Sequence, residues 1–117
     1  MSKISFEDFE RIMSVDYVGE SDFHLDNDEK YVNCCLGKNT DMTTGKFNYW
    51  FGLVSDGSEA YNYSTFEEFV NAKVFDGKSL KELWKFVSIR SIDASNVDFM
   101  LPIYLKLAED VAQKTDE

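Results

Sequence analysis

Histidine, cysteine and proline are scarce in this chain. Its 117 residues include one histidine, one proline and two cysteines, and the cysteines are adjacent at Cys34 and Cys35. Neighbouring residues of a strand point to opposite faces, so a disulfide between these two would need a strained turn. The composition therefore excludes a secreted disulfide framework, and it supplies too few soft ligands for a zinc site.

Long apolar runs are also missing from the sequence. No segment approaches the roughly 18 consecutive apolar residues of a membrane span. The opening residues, MSKISFEDFERIM, lack the apolar core of a signal peptide. We therefore expect a cytoplasmic protein that makes no membrane contact and needs no cofactor.

Basic residues are outnumbered by acidic ones. The chain has 22 acidic and 12 basic residues, which gives a formal net charge of −10, and the acids are densest between Met1 and Lys30. Such a molecule repels nucleic acid and anionic membranes and attracts basic partners. We expect no direct binding to nucleic acid. Solubility alone is the alternative explanation of the charge.

The apolar pattern predicts a single α+β domain over residues 1–117. A short amphipathic helix is predicted in SFEDFERIMS, with Ser5 as its N-cap. Alternating apolar residues then predict four strands separated by turns, the last two joined across Asp56 and Gly57. These strands are expected in VDYVGESDFHL, KYVNCCLG, GKFNYWFGLVSDG and EAYNYS.

After Tyr63 the pattern changes to helical spacing. Two Ser-x-x-Glu capping boxes, one beginning at Ser64 and one at Ser79, predict helices in STFEEFVNA and SLKELWKFV. A strand is expected in FVSIRSID. A last helix is expected in PIYLKLAEDVAQK, with Pro102 in its first turn, or kinked at Pro102 if it begins at Ser95. The predicted architecture is an antiparallel sheet of about four or five strands, with about three to four helices packed mainly on one face.

The segment AKVFDGKS, residues 72–79, fits a relaxed phosphate-loop pattern. A phosphate loop follows a strand and needs open, uncharged backbone, whereas this segment follows a predicted helix and carries Phe75 and Asp76. We interpret it as the joint between two helices, with Gly77 in the turn. Lys78, Lys81 and Lys85 would then line an exposed helix face.

Two further patterns of reactive residues are incomplete. His24 with Cys34 or Cys35 has the composition of a nucleophile–base pair, but neither cysteine has the surroundings of a known thiol enzyme. DNDEK, residues 26–30, is similar to the start of a calcium loop, but Gly37 stands where the loop needs glutamate. We assign no catalytic, cofactor-binding or metal-binding residue and expect that the protein is not an enzyme.

The stretch FNYWF, Phe47–Phe51, is the most informative about function. In a strand, Trp50 lies on the face opposite to Tyr49 and Phe51. Trp50 then either packs under a helix or anchors a partner, with Tyr61 and Tyr63 on the neighbouring strand as possible companions.

The preferred hypothesis is a non-catalytic acidic domain that binds another protein. One concrete form is an inhibitor or immunity-type partner of a basic enzyme, in which carboxylates speed association. A homodimer that pairs through a sheet face or edge is the alternative, and an enzyme with a site spread over loops is the third hypothesis. The predicted partner-binding residues are Asp22, Asp26, Asp28, Glu29, Trp50 and Tyr61.

Overall fold

The computed structural model describes residues 4–54 and 59–115, so the predicted turn at Asp56 and Gly57 lies outside the described residues. These described residues form three α-helices and seven strands, and a 3₁₀ turn precedes the fifth strand. The helices are α1 (Phe6–Ile12), α2 (Phe66–Asn71) and α3 (Val97–Thr115). The strands are β1 (Val18–Leu25), β2 (Cys34–Thr40), β3 (Phe47–Gly52), β4 (Ala60–Tyr63), β5 (Val87–Ile89), β6 (Ser91–Ile92) and β7 (Ser95–Asn96).

Five strands form one antiparallel sheet in the order β4-β3-β2-β1-β5. The first four strands follow one another as a meander, and β5 returns after α2 to pair with the carboxyl half of β1, where Phe23 lies opposite Ile89. β6 and β7 form a separate two-stranded hairpin. The predicted α+β class and the antiparallel sheet are confirmed.

The sheet has a core face on which the apolar side chains pack. Helices α1 and α2 contribute Phe9 and Phe69 to this core, and the Phe69 ring stacks on Phe51 with centroids 4.2 Å apart. Trp84 lies 4.6 Å from the Phe9 ring, and its indole N–H donates to the Ile4 carbonyl at 2.9 Å. Aromatic rings in such arrangements stabilise the core beyond simple burial.

The third helix departs from the expected one-face packing. It packs mainly against α1 and the β6–β7 hairpin rather than against the five-stranded sheet. It also begins at Val97, so Pro102 lies inside the helix and not in its first turn. The early start follows from the hairpin, whose two turn residues Asp93 and Ala94 both have positive φ and reverse the chain direction. The Asn96 side chain then accepts the Asp98 N–H at 2.9 Å at the start of the helix.

The prediction of a helix after Ser79 is wrong, although the predicted capping box forms. The Ser79 hydroxyl accepts the Glu82 N–H, and the Glu82 carboxylate accepts the Ser79 N–H, each at 3.1 Å. The chain then makes only a turn and a 3₁₀ segment, Trp84–Phe86, because Val87 must already pair with Leu25. The lysines of this region therefore do not line a helix face.

Two neighbouring details also differ from expectation. The N-cap of α2 is Thr65, whose hydroxyl accepts the Glu68 N–H at 3.1 Å, one residue later than predicted. The AKVFDGKS segment forms a two-residue turn in which Phe75 bridges to Lys78, with Asp76 at φ 53° and Gly77 at φ 88°. A tight hairpin turn of this kind is not a phosphate cradle.

Lys38 is an unusual member of the core face. It is only 1% exposed, and its ammonium group donates to the Met13 carbonyl at 2.7 Å. The ring centroids of Phe47 and Tyr49 lie 4.1 and 5.0 Å from the same nitrogen. Burial lowers the pKa of Lys38, while the ammonium satisfies the carboxyl end of α1 and complements its dipole.

Candidate functional site

The other face of the sheet carries a polar surface, which we call the open face. Its side chains alternate along the strands with those of the core face. Most are exposed or half-buried. The open face consists of Glu20, Asp22, His24, Cys35, Gly37, Asn39, Asn48, Trp50, Gly52, Ala60 and Asn62.

Trp50 occupies the centre of the open face and lies against Gly37. The two residues are direct partners across β2 and β3. A Cβ atom at Gly37 would come within 2.5 Å of Cζ2, 2.6 Å of Cε2 and 2.8 Å of Nε1 of the indole. Only glycine allows this approach, so the ring rests on the backbone of β2 and remains half-buried.

The indole N–H of Trp50 has no hydrogen-bond partner among the described residues. Indole N–H groups that are removed from water usually find an acceptor, as that of Trp84 does at the Ile4 carbonyl. Trp50 is therefore able to donate to water or to a bound molecule.

Amide side chains flank Trp50 on one side. Asn39 lies opposite Asn48 in the β2–β3 register. The Asn48 amide donates to the Asn62 side-chain oxygen at 3.1 Å, and Asn62 is the direct cross-strand partner of Trp50. This row of amides supplies both donors and acceptors beside the indole.

Carboxylates lie on the other side, on β1. Asp22 is the cross-strand partner of Cys35, and the Ser91 hydroxyl donates to its carboxylate at 3.3 Å. Burial, and then the neighbouring carboxylates of Glu20 and Asp22, raise the pKa of Cys35 to about 11. The Cys35 thiol is thus protonated at neutral pH, and both carboxylates face the same side of the sheet.

The reactive side chains near this surface are not arranged for nucleophilic catalysis. The Ser88 hydroxyl donates to Asp26 Oδ1 at 2.8 Å, and His24 Nε2 lies 3.3 Å from the same oxygen. Because the carboxylate stands between them, the histidine does not take the hydroxyl hydrogen bond that activates a serine. Cys34 points into the core, where its thiol donates to the Leu53 carbonyl and burial raises its pKa to about 12.

The remaining predicted partner residues are distributed differently. The Asp28 carboxylate accepts the backbone N–H groups of Lys30 and Tyr31, both at 2.8 Å, and so closes the turn after β1. Glu29 is exposed in the same turn. Tyr61 is the partner of Phe51 and lies on the core face, half-buried.

The structure thus places Asp22 and Trp50 on the same face of the sheet, on strands separated by β2, and Asp26 directly follows the strand of Asp22. It does not bring Tyr61 or Tyr63 to this surface, so neither is a companion of Trp50. Sequence reasoning missed Gly37 and the asparagine row. The alternation of side chains within FNYWF and AYNY was the available signal, since it places Asn48 and Asn62 on the Trp50 face.

A cleft lies near the turn after β1, away from the open face. Its volume is about 480 Å³, and its lining includes Asp26, Asp28, Tyr31 and Asp76. Its acids already have partners within the chain: Asp76 pairs with Lys30 at 3.3 Å, and Lys30 also pairs with Glu59 at 3.2 Å. These contacts raise the pKa of Lys30 and leave the cleft less suited to a ligand than the open face.

Residues 4–54 and 59–115 contain no group of three or more histidine, cysteine or acidic side chains placed to hold a metal ion. No helix in this part of the chain is long and apolar enough to cross a membrane. Comparisons with protein-family models, curated proteins and solved structures give no match to this chain.

Proposed function

We propose that this protein is a non-catalytic binding protein that receives a basic protein partner on its open face. The observation that carries the proposal is that Trp50 and the β1 carboxylates Glu20 and Asp22 share one face of the sheet, with β2 between them. The net charge of −10 supports it. Tryptophan is enriched among the residues that dominate binding energy at interfaces.

The two kinds of side chain have separate roles in this proposal. The carboxylates attract a basic surface and raise the association rate, which falls as salt screens the charges. The indole supplies desolvated contact area that slows dissociation. An inhibitor of a basic enzyme, with the acids seated where that enzyme binds polyanions, is one version. The free thiols Cys34 and Cys35 fit the reducing cytoplasm that we propose as its location.

Affinity isolation followed by a titration tests this function. The protein captured from native lysate is identified, purified and titrated by calorimetry against the natural chain and against Glu20→Gln/Asp22→Asn. We expect at least a tenfold weaker affinity for the double variant, because two of the steering charges are removed. The matched control is Asp98→Asn/Glu109→Gln, which makes the same charge change on exposed positions of α3. Equal losses in both variants, or none in the first, would show that the open face is not the binding surface.

A homodimer is a second candidate, and a different observation favours it. Phe99, Ile103 and Leu107 are 66%, 42% and 43% exposed and follow one another at a spacing of four along α3. The same helix face carries Lys106, whose ammonium group pairs with Asp110 one turn further along at 3.6 Å. Light scattering on the natural chain and on Ile103→Glu tests this function, and a monomer at all concentrations would exclude it.

A further inference from the structure

We infer that the partner's side chain that contacts Trp50 is an arginine, with its guanidinium stacked on the indole and hydrogen-bonded to the carboxylate of Glu20. This inference rests on the proposed function, and it names the group that the open face recognises.

The position of the indole is the first step. One side of the ring is against Gly37, because a Cβ atom there would overlap it. Trp50 is nevertheless only half-buried, so part of its surface remains open to solvent. The face of an indole is electron-rich and attracts a cation more strongly than any other aromatic side chain does.

The position of Glu20 is the second step. The β1–β2 register runs from Val18 opposite Lys38 to Ser21 opposite Leu36, with an irregularity between them. Gly19 and Glu20 therefore stand opposite Gly37, which is the residue under the indole. A group that stacks on Trp50 over β2 thus has a carboxylate on the next strand, about 5 Å further across the sheet.

The shape of the guanidinium group favours arginine over lysine at this position. A guanidinium is planar, so it can lie parallel to the indole while its edge donates to a carboxylate at the side. An ammonium group is compact and strongly hydrated, and it cannot make both contacts in this way. Glu20 stands opposite Gly37, so its carboxylate is the acceptor placed for the guanidinium edge, while Asp22, opposite Cys35, extends the acidic surface along β1.

Peptide titrations monitored by NMR test the inference. The probes are capped nona-arginine and nona-lysine, which carry equal charge, and the readout is the indole N–H signals of the two tryptophans. We expect nona-arginine to bind about fivefold more tightly than nona-lysine. We also expect it to move the Trp50 signal and to leave that of Trp84, whose N–H is already bonded to Ile4, in place.

Three variants locate the effect. Gly37→Ala adds a methyl group where the ring lies, so it displaces the indole without changing any charge, and we expect the preference for arginine to disappear. Gly52→Ala adds the same methyl group elsewhere on the open face, 2.9 Å from Cys35 Sγ, and so measures the effect of a methyl group that does not meet the indole. Trp50→Leu should likewise remove the preference, and it keeps the test valid if Gly37→Ala does not fold.

The possible results distinguish a failure of this inference from a failure of the proposed function. One outcome is that the two peptides bind equally, the Trp50 signal does not move, and Glu20→Gln/Asp22→Asn weakens the binding of both peptides. The inference of an arginine on Trp50 is then wrong, whereas the proposal of a basic partner is retained. If the double variant and its α3 control bind both peptides as the natural chain does, the proposed function fails as well. A preference for arginine that survives Gly37→Ala and Trp50→Leu also overturns the inference.

Discussion

Trp84 and Trp50 show how differently the two sides of the sheet are built. Trp84 packs among the rings of Phe6 and Phe9, and its N–H is bonded to the Ile4 carbonyl. Trp50 rests on a glycine, and its N–H has no acceptor within the described ranges. A tryptophan whose polar atom is satisfied inside the chain is part of the fold, whereas one left half-satisfied at the surface is available to another molecule.

The same contrast holds for the two faces as a whole. The core face is a continuous cluster of aromatic rings, in which Phe51 contacts Phe69, Tyr63 and Phe75. The open face consists of amides, carboxylates, small residues, His24 and the Cys35 thiol around one indole. Since burial of apolar area dominates folding free energy, we expect stability to depend on the first face and binding on the second.

The largest expected difference in stability comes from truncating one side chain on each face to alanine. Phe51→Ala should lower the free energy of unfolding by about 3–5 kcal/mol, because it empties a buried ring site. Asn62→Ala should change the free energy by less than about 0.5 kcal/mol, because its hydrogen bond is exposed. Urea unfolding of both variants measures this, and a cost above about 2 kcal/mol for Asn62→Ala would show that the open face also holds the fold.

The pH dependence of stability also distinguishes the two faces, because Cys34 lies on the core face and Cys35 on the open face. In the folded chain the pKa rises from 9.0 to about 12 for Cys34 and to about 11 for Cys35, chiefly through burial. Above pH 9 the unfolded chain loses these protons first, so their stabilising contribution is lost as pH rises. Each thiol lowers stability by up to about 1.4 kcal/mol per pH unit, ending near pH 11 for Cys35 and near pH 12 for Cys34.

Unfolding of Cys34→Ala and Cys35→Ala across alkaline pH measures the two slopes. Burial also raises the pKa of Tyr49 and Tyr104, but those groups are common to both variants and cancel in the comparison. We expect the larger flattening from Cys34→Ala. Equal and negligible changes in both variants would contradict the assigned environments.

The smallest expected difference concerns the tryptophans themselves. Trp84→Phe should cost about 1–2 kcal/mol, since it removes the bond to Ile4 and leaves that carbonyl without its donor. Trp50→Phe should cost less than about 0.5 kcal/mol, as no internal hydrogen bond is lost. Chemical unfolding followed by circular dichroism avoids the altered fluorescence. The reverse order of costs would mean that Trp50 belongs to the fold.

Features that depend on neighbouring residues were predictable from the sequence. The Ser5 cap of α1, the meander of the first four strands and the Ser79–Glu82 capping box all formed as expected, because each rests on local hydrogen bonds or alternation. The opposite orientations of Trp50 and Phe51 followed from the same alternation.

Features that depend on distant contacts were not predictable. The segment after Ser79 has the pattern of a helix, but pairing of Val87 with Leu25 leaves no length for one. From the sequence, Lys38 is expected at the surface, and only its hydrogen bond to the Met13 carbonyl explains its burial. The position of Glu20 opposite Gly37 likewise depends on an irregularity in the β1–β2 register that no local pattern marks.

The enclosure of Lys38 makes it a natural reporter for chemical labelling. Amine reagents cannot reach its nitrogen while the carboxyl end of α1 and the Phe47 ring cover it. Its acetylation under native conditions therefore proceeds only through transient detachment of α1, at a rate set by the free energy of that opening. Lys46, which is exposed a few residues away, supplies the reference rate for an open amine. The ratio of the two rates would measure how often this end of the core opens.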